Sequence, residues 1–196
     1  MATGYHSAAS AEVKEGDTVA VIGDGAVGLC GVIGARLRGA KRIILMSHHE
    51  DRAKLGREFG ATDIVSERGD DAIKKVMELT NGVGVGVDAV QECVGAVSAI
   101  EQAGKIARPG AVIGRVGVPQ TEPSSKTLFW KNIGLRGGIA NVTTYDKNIL
   151  LEAVLDGEIN PGKVFTKRFD LDHIQEAYEA MDKREAIKSL VIVADK

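Results

Sequence analysis

The chain has little proline, little cysteine and few aromatic residues: four Pro, two Cys and 4% Phe, Trp and Tyr among 196 residues. Cys30 and Cys93 lie far apart without a CxxC spacing, which gives neither a disulfide framework nor a metal knuckle and points to a reducing, cytoplasmic compartment. No apolar run approaches the roughly 20 residues that a membrane-spanning helix needs. The opening Met1-Ala-Thr-Gly-Tyr-His6 has neither a basic n-region nor an apolar core, so no secretory signal is expected. A charge excess is missing too. With 25 Lys+Arg against 27 Asp+Glu the net charge is -2, which argues against nucleic acid or an anionic membrane as partner. What remains is 44% hydrophobic and 27% charged, a globular balance that excludes a disordered chain.

Glycine is the exception. The 24 glycines make up about 12% of the chain against a usual share near 7%. They stand at the ends of apolar runs, where tight turns and close backbone approaches need them.

Strands alternate with helices along the first 140 residues. Thr18–Ile22 is a short, β-branched apolar run bounded by Asp17 and Gly23, as expected of a strand buried on both faces. Ala26–Arg38 carries apolar residues at helical spacing and stops at Gly39. The pattern repeats with strands at Arg42–Met46, Asp63–Val65, Val85–Val90 and Ala111–Val116, and helices at Asp51–Phe59, Asp70–Leu79 and Val97–Ala107. Such alternation predicts an α/β fold: a doubly wound parallel sheet of right-handed crossovers, of Rossmann type. The first sixteen residues read as an amphipathic helix. Beyond Val118 the rhythm changes: a polar loop at Pro119–Ser125 and a sixth strand at Ile133–Ile139 are followed by helices at Tyr145–Leu155 and Leu171–Met181. Strands are expected at Lys163–Phe169 and Leu190–Val193. A boundary near Asn141 divides a cofactor-binding domain, 1–140, from a small α+β segment, 141–196, too short to bury a core of its own.

Between the first strand and the helix after it stands Gly23-Asp24-Gly25-Ala26-Val27-Gly28, a GxGxxG. In such a turn the first glycine makes the bend, the second admits a pyrophosphate and the third lets the helix pack closely on the sheet. The helix N-terminus, opened by Ala26 and Val27, offers free N–H groups and a positive dipole end to the diphosphate. A site for NAD carries an acidic residue about 20 residues further on, at the end of the second strand. Here Ser47 stands in that position, followed by His48, His49 and, after Glu50 and Asp51, Arg52. A hydroxyl and cationic groups suit a ribose 2′-phosphate, which favours NADP over NAD. The same residues also read as a helix N-cap, Ser47 or His49 ahead of Glu50 and Asp51, and the two readings are compatible.

Four motifs in order, Thr3-Gly-Tyr-His-Ser-Ala8, the GxGxxG, Gly60-Ala-Thr-Asp63 and Val116-Gly-Val-Pro119, resemble the medium-chain, zinc-dependent alcohol dehydrogenases over nearly the whole chain. The resemblance implies a cofactor domain followed by the chain's return to a catalytic domain, whose first part is missing. It also assigns roles. Thr3 matches a threonine beside the nicotinamide, although it also reads as a helix N-cap. Arg52 matches a basic residue near the adenosine ribose, and Cys93, Val94 and Gly95 match a segment lining the cofactor cleft. Val116, Gly117 and Val118 match the stretch that holds the carboxamide, and Leu135 and Arg136 a contact to nicotinamide. Lys188 matches a basic residue reaching the pyrophosphate. Cys93 and Val94 also read as core side chains, and Lys188 as a solvated charge.

The zinc ligands of that family lie upstream of the cofactor domain, so the resemblance implies zinc in the full-length enzyme and none held by this chain. His6, His48, His49 and His173 have no metal-ligand spacing with either cysteine, and the adjacent His48-His49 make a poor chelate. No catalytic residue is assigned here. Another departure is Gly82-Val-Gly-Val-Gly86, longer than the family's turn before the fourth strand. The expected function is the dinucleotide-binding part of an NADP-dependent alcohol dehydrogenase acting on a small alcohol or carbonyl compound, inactive alone. A homodimer joined at the edge strand, Asn132–Ile139, follows from the same resemblance. Two other readings stay open: a non-catalytic module that senses or signals NAD(P) occupancy, and a methyltransferase using S-adenosylmethionine. The segment from Thr143 to Lys196 speaks against the first, the missing acid after the second strand against the other.

Overall fold

The computed structural model describes residues 1–80, 85–141 and 143–194; of the Gly82–Gly86 turn, positions 82–84 therefore lie outside the described residues. Six strands form one parallel sheet: β1 (Thr18–Ile22), β2 (Arg42–Met46), β3 (Asp63–Val65), β4 (Val87–Glu92), β5 (Ala107–Arg115) and β6 (Gly134–Gly137). Their spatial order is β3-β2-β1-β4-β5-β6. The chain thus runs outward one way through β3, then returns past β1 and runs outward the other way. A crevice opens at the carboxyl ends of β1 and β4, where the direction reverses, and ligands of such sheets bind there.

The strands are apolar on both faces because helices cover both. The helices of this unit are α1 (Ala2–Ser10), α2 (Ala26–Leu37), α3 (Glu50–Phe59), α4 (Gly69–Leu79), α5 (Val97–Ile106), α6 (Ser125–Lys131) and α7 (Thr144–Leu155). On one face Ala20, Ile22, Ile44, Met46, Val90 and Ile113 pack with Val76 and Ile106 from α4 and α5. On the other lie the buried Leu29, Val32 and Ile33 of α2. Helix α1 is shorter than the sequence reading, and its buried residues, Gly4, Ser7 and Ala8, are small rather than an apolar stripe. Small residues permit a backbone-to-backbone approach: a Cβ on Gly34 would meet the Cα of Tyr5 at 3.0 Å.

The described chain divides into two compact units, Met1–Ile159 and Asn160–Lys196, so α7 falls on the sheet side of the division. The second unit holds a 3₁₀ turn, Pro161–Val164, then β7 (Phe165–Asp170), α8 (Ile174–Asp182) and β8 (Lys188–Ile192). Strands β7 and β8 pair in parallel, and Ser189 Oγ donates to the Ala177 carbonyl at 2.8 Å to fasten α8 on them.

Several elements differ from the sequence reading. Helix α6 lies between the expected loop at Pro119–Ser125 and the expected strand at Ile133–Ile139, in a stretch given no element from sequence; Ser124 caps it by accepting from the Thr127 N–H, and Asn132 ends it at φ 52°. Strand β5 begins at Ala107 and runs through Pro109 and Gly110, which the sequence reads as a break. Strand β4 ends at Glu92 rather than Val90, and β6 spans only Gly134–Gly137. Among the described residues no helix is long and apolar enough to cross a membrane.

Candidate functional site

The glycine turn follows β1 at the crevice. Gly23 takes φ +107°, a conformation other L residues rarely adopt. A Cβ on Gly28 would overlap the Gly23 carbonyl oxygen, so only glycine lets α2 seat this close to the strand it follows. At Gly25, by contrast, a Cβ would meet nothing within 4 Å, and the φ of -75° is open to any residue. Gly25 is the N-cap of α2 and no side chain caps that helix, so the N–H groups of its first turn, opened by Ala26 and Val27, have no side-chain cap partner. Free amides, a positive helix end and the space left by a missing Cβ fit a diphosphate.

The β2 end lies beside this turn. Ser47 is 2% exposed and its Oγ donates to Asp24 Oδ2 at 2.8 Å and to the His49 carbonyl at 3.3 Å. Arg52, on α3, donates from Nη1 to Asp24 Oδ1 at 3.3 Å. Ser47 and Arg52 are therefore brought together, and Asp24 is what joins them. Of the two capping candidates, His49 is the N-cap of α3, though it makes no side-chain cap bond, while Ser47 is not the cap and turns toward the glycine turn. The exposed His48 pairs through Nδ1 with the Ser66 carbonyl at 2.6 Å, on the side of β3.

The facing wall comes from β4 and β5. Val94 is 48% exposed and sits over the turn, where a Cβ on Gly23 would lie 2.7 Å from its Cγ2, so the core alternative for Val94 is corrected. Gly95 and Gly117 meet backbone to backbone: a Cβ on Gly117 would lie 2.6 Å from the Val94 carbonyl carbon, and one on Gly95 would be 2.7 Å from that of Val118. Gln120 N–H donates to the Gly95 carbonyl at 2.9 Å, and Val116 N–H to that of Glu92 at 2.9 Å. Gly23, Val94, Gly95, Val116, Gly117 and Val118 are thus gathered at the carboxyl ends of three adjacent strands.

Sequence reasoning missed the group that holds this wall. Glu92 is completely buried, and its Oε1 accepts from Val94 N–H at 2.8 Å and Gly95 N–H at 2.7 Å, fixing the corner after β4. Its Oε2 is buried without a partner among the described residues. Beside it Gln91 accepts from Ser7 Oγ at 2.5 Å, tying α1 to the sheet. The Cys93 thiol faces Ser7 Oγ at 3.8 Å, and burial pushes it up to about 12, so at neutral pH it is a thiol and not a nucleophilic thiolate.

The remaining candidates lie on other elements. Thr3 lies in the first turn of α1, whose N-cap is Met1, so the capping reading of Thr3 is corrected. Leu135, on β6, packs against the core cluster, while Arg136 is exposed and ion-paired with Glu12 Oε1 at 2.6 Å. Lys188 is exposed at the start of β8, in the second unit. Among the described residues no group of three or more His, Cys, Asp or Glu could hold a metal ion.

Comparison with known proteins gives a family match over residues 26–152, to the model described as zinc-binding dehydrogenase. The NADP-dependent isopropanol dehydrogenase of Thermoanaerobacter brockii is 35% identical over 204 residues, covering 99% of this chain and 57% of that protein. The enzyme of the same name from Clostridium beijerinckii is 33% identical over 98% of this chain and 57% of its own length. Among solved structures, an alcohol dehydrogenase from Thermus sp. ATN1 superposes with a TM-score of 0.87 at 29% identity, over 98% of this chain and 57% of that one. The chain spans about half the length of the relatives it matches.

Proposed function

Since the chain belongs to the zinc-binding dehydrogenase family, we propose that it is the part of a zinc-type alcohol dehydrogenase that binds the nicotinamide dinucleotide. The observation that carries the proposal is the pairing of two different glycines in one turn. Gly28 is demanded by packing, whereas Gly25 meets nothing and leaves room at an uncapped helix end. A turn serving structure alone has no need of the second.

Gly23, Gly25, Ala26, Val27 and Gly28 hold the diphosphate through backbone amides. Ser47 and Arg52 face the adenosine ribose; Val94 and Gly95 form the near wall, and the Val116–Val118 backbone offers peptide groups to the carboxamide. When bound, the dinucleotide accepts or supplies the hydride exchanged between an alcohol and an aldehyde or ketone. This chain orients that cofactor and shields it from water. Among the described residues no ligand set for zinc comes together.

NADP is the preferred form in this reading, with NAD weaker. The β2 end lacks an acid, and the isopropanol dehydrogenases of two relatives are NADP-dependent by name. We place the protein in the cytoplasm, as a homodimer joined along β6, the edge strand of the sheet; a monomeric mass by light scattering at high concentration would exclude that assembly. Thermal unfolding with NADPH and NADH tests the main proposal. Each dinucleotide at 100 times its dissociation constant should stabilise the fold by about 2.7 kcal/mol. No stabilisation by either would overturn it.

A further inference from the structure

The acid missing from the end of β2 has a substitute in the glycine turn. We propose that Asp24 sets the cofactor choice of this site by competing with a 2′-phosphate for Ser47 and Arg52, an inference that rests on the dinucleotide reading above. Both carboxylate oxygens are committed: Oδ2 accepts from Ser47 Oγ at 2.8 Å and Oδ1 from Arg52 Nη1 at 3.3 Å. These are the two groups through which a hydroxyl and a guanidinium would otherwise grip a phosphate. The side chains of Arg52 and Asp24 are only 11% and 15% exposed, so solvent screens the pair less than it would on an open surface.

The chemistry of the two cofactors then separates. A 2′-hydroxyl is a donor and can bond to an occupied carboxylate without displacing anything. A 2′-phosphate is an acceptor carrying negative charge. It finds Arg52 already neutralised and Ser47 already donating, and it must approach a second anion. Asp24 therefore restrains a site that the Ser47 position and Arg52 would make strongly selective for NADP. As built, the site accepts both forms, with a smaller preference for NADP than Ser47 and Arg52 alone would give.

The test is binding, not turnover. Dissociation constants for NADPH, NADH, 2′,5′-ADP and ADP are measured by calorimetry on the wild-type chain and on Asp24→Asn. The asparagine keeps the shape and an acceptor for Ser47 but removes the charge. The variant should bind NADPH and 2′,5′-ADP about tenfold tighter, the order expected for removing one nearby like charge, while NADH and ADP stay level or loosen. Arg52→Gln gives a second handle: its cost in NADPH affinity should be about tenfold larger in the Asp24→Asn background than in the wild type, because only there is the guanidinium free. A ratio of NADPH to NADH affinity unchanged by Asp24→Asn, or moved toward NADH, overturns the role of Asp24 and leaves the dinucleotide site standing. Wild-type chain that binds none of the four ligands overturns both.

Discussion

Gly28 is seated against Gly23 so tightly that a single methyl group on it would overlap the Gly23 carbonyl oxygen. That contact joins the last residue of the glycine turn to its first. It sets how near α2 comes to β1, and hence how far the helix N-terminus projects into the crevice. Gly25, between them, touches nothing where a Cβ would be. Packing and ligand access are thus assigned to different residues of one six-residue motif.

Alanine at the two positions should separate those jobs. Gly28→Ala forces α2 off the turn and should cost roughly 3 kcal/mol, lowering the melting temperature by about 2–4 °C for each kcal/mol in a chain of this size. Gly25→Ala should melt within about 0.5 kcal/mol of the wild type, since the new methyl meets nothing in the free protein. Its dinucleotide affinity should nevertheless fall by at least about tenfold, because the methyl occupies space the diphosphate needs. Thermal melts with and without NADPH check both; a Gly25→Ala chain that binds as well as the wild type would show that the open space is not the ligand's.

Glu92 should prove indispensable to the wall facing that turn. Its Oε1 accepts from two backbone N–H groups, at Val94 and Gly95. Glu92→Ala leaves both without that partner, the Gly95 N–H in a buried position, at a cost of about 2–4 kcal/mol by urea unfolding. Glu92→Gln keeps an acceptor oxygen and should recover most of that loss. Equal stability of the alanine variant and the wild type would mean that the corner is held by the Glu92–Val116 and Gly95–Gln120 backbone bonds alone.

How much of this was legible in the sequence depends on whether the signal is local. The strand–turn–helix around Gly23–Gly28 is legible because apolar run, glycine spacing and helical period all lie within one stretch. The sheet follows from the alternation that repeats it. Helix α6 is not legible: Ser125–Lys131 is only seven residues long, with Phe129 and Trp130 exposed, so it presents no buried stripe at helical spacing. Strand β5 hides behind Pro109-Gly110, whose turn character the pairing of Val87 with Ala107 overrides. At the site, Ser47 and Arg52 stand out by type and position. The acid that binds them does not, because Asp24 reads as a variable residue of the motif until the fold brings β2 alongside β1. Glu92 is hidden for a similar reason: a carboxylate in an apolar strand reads as a strand end, and only the corner after β4 gives it two N–H partners.

In the second unit, His173 and Asp170 form a pair that pH should reveal. His173 Nδ1 lies 2.5 Å from Asp170 Oδ1, and the His173 backbone N–H donates to the same oxygen at 3.0 Å. The bond to Asp170, then its charge, raises the imidazole above its ordinary 6.5; the bond from His173 lowers Asp170 below its ordinary 3.8. A histidine raised in the folded state stabilises fully below 6.5 and loses that contribution as pH climbs through the raised value. An aspartate lowered in the folded state stabilises fully above 3.8 and loses its contribution as pH falls through the depressed value. Both contributions are therefore complete only between 3.8 and 6.5. The pair is exposed, so the effect on unfolding is small and the titration itself is the better measurement. Proton NMR of His173 should give a midpoint above 6.5 that moves back down in Asp170→Asn, where the charge and most of the bond to the imidazolium are lost. A midpoint at or below 6.5 in the unmodified chain, or one that Asp170→Asn leaves in place, would show that the two side chains do not pair in solution.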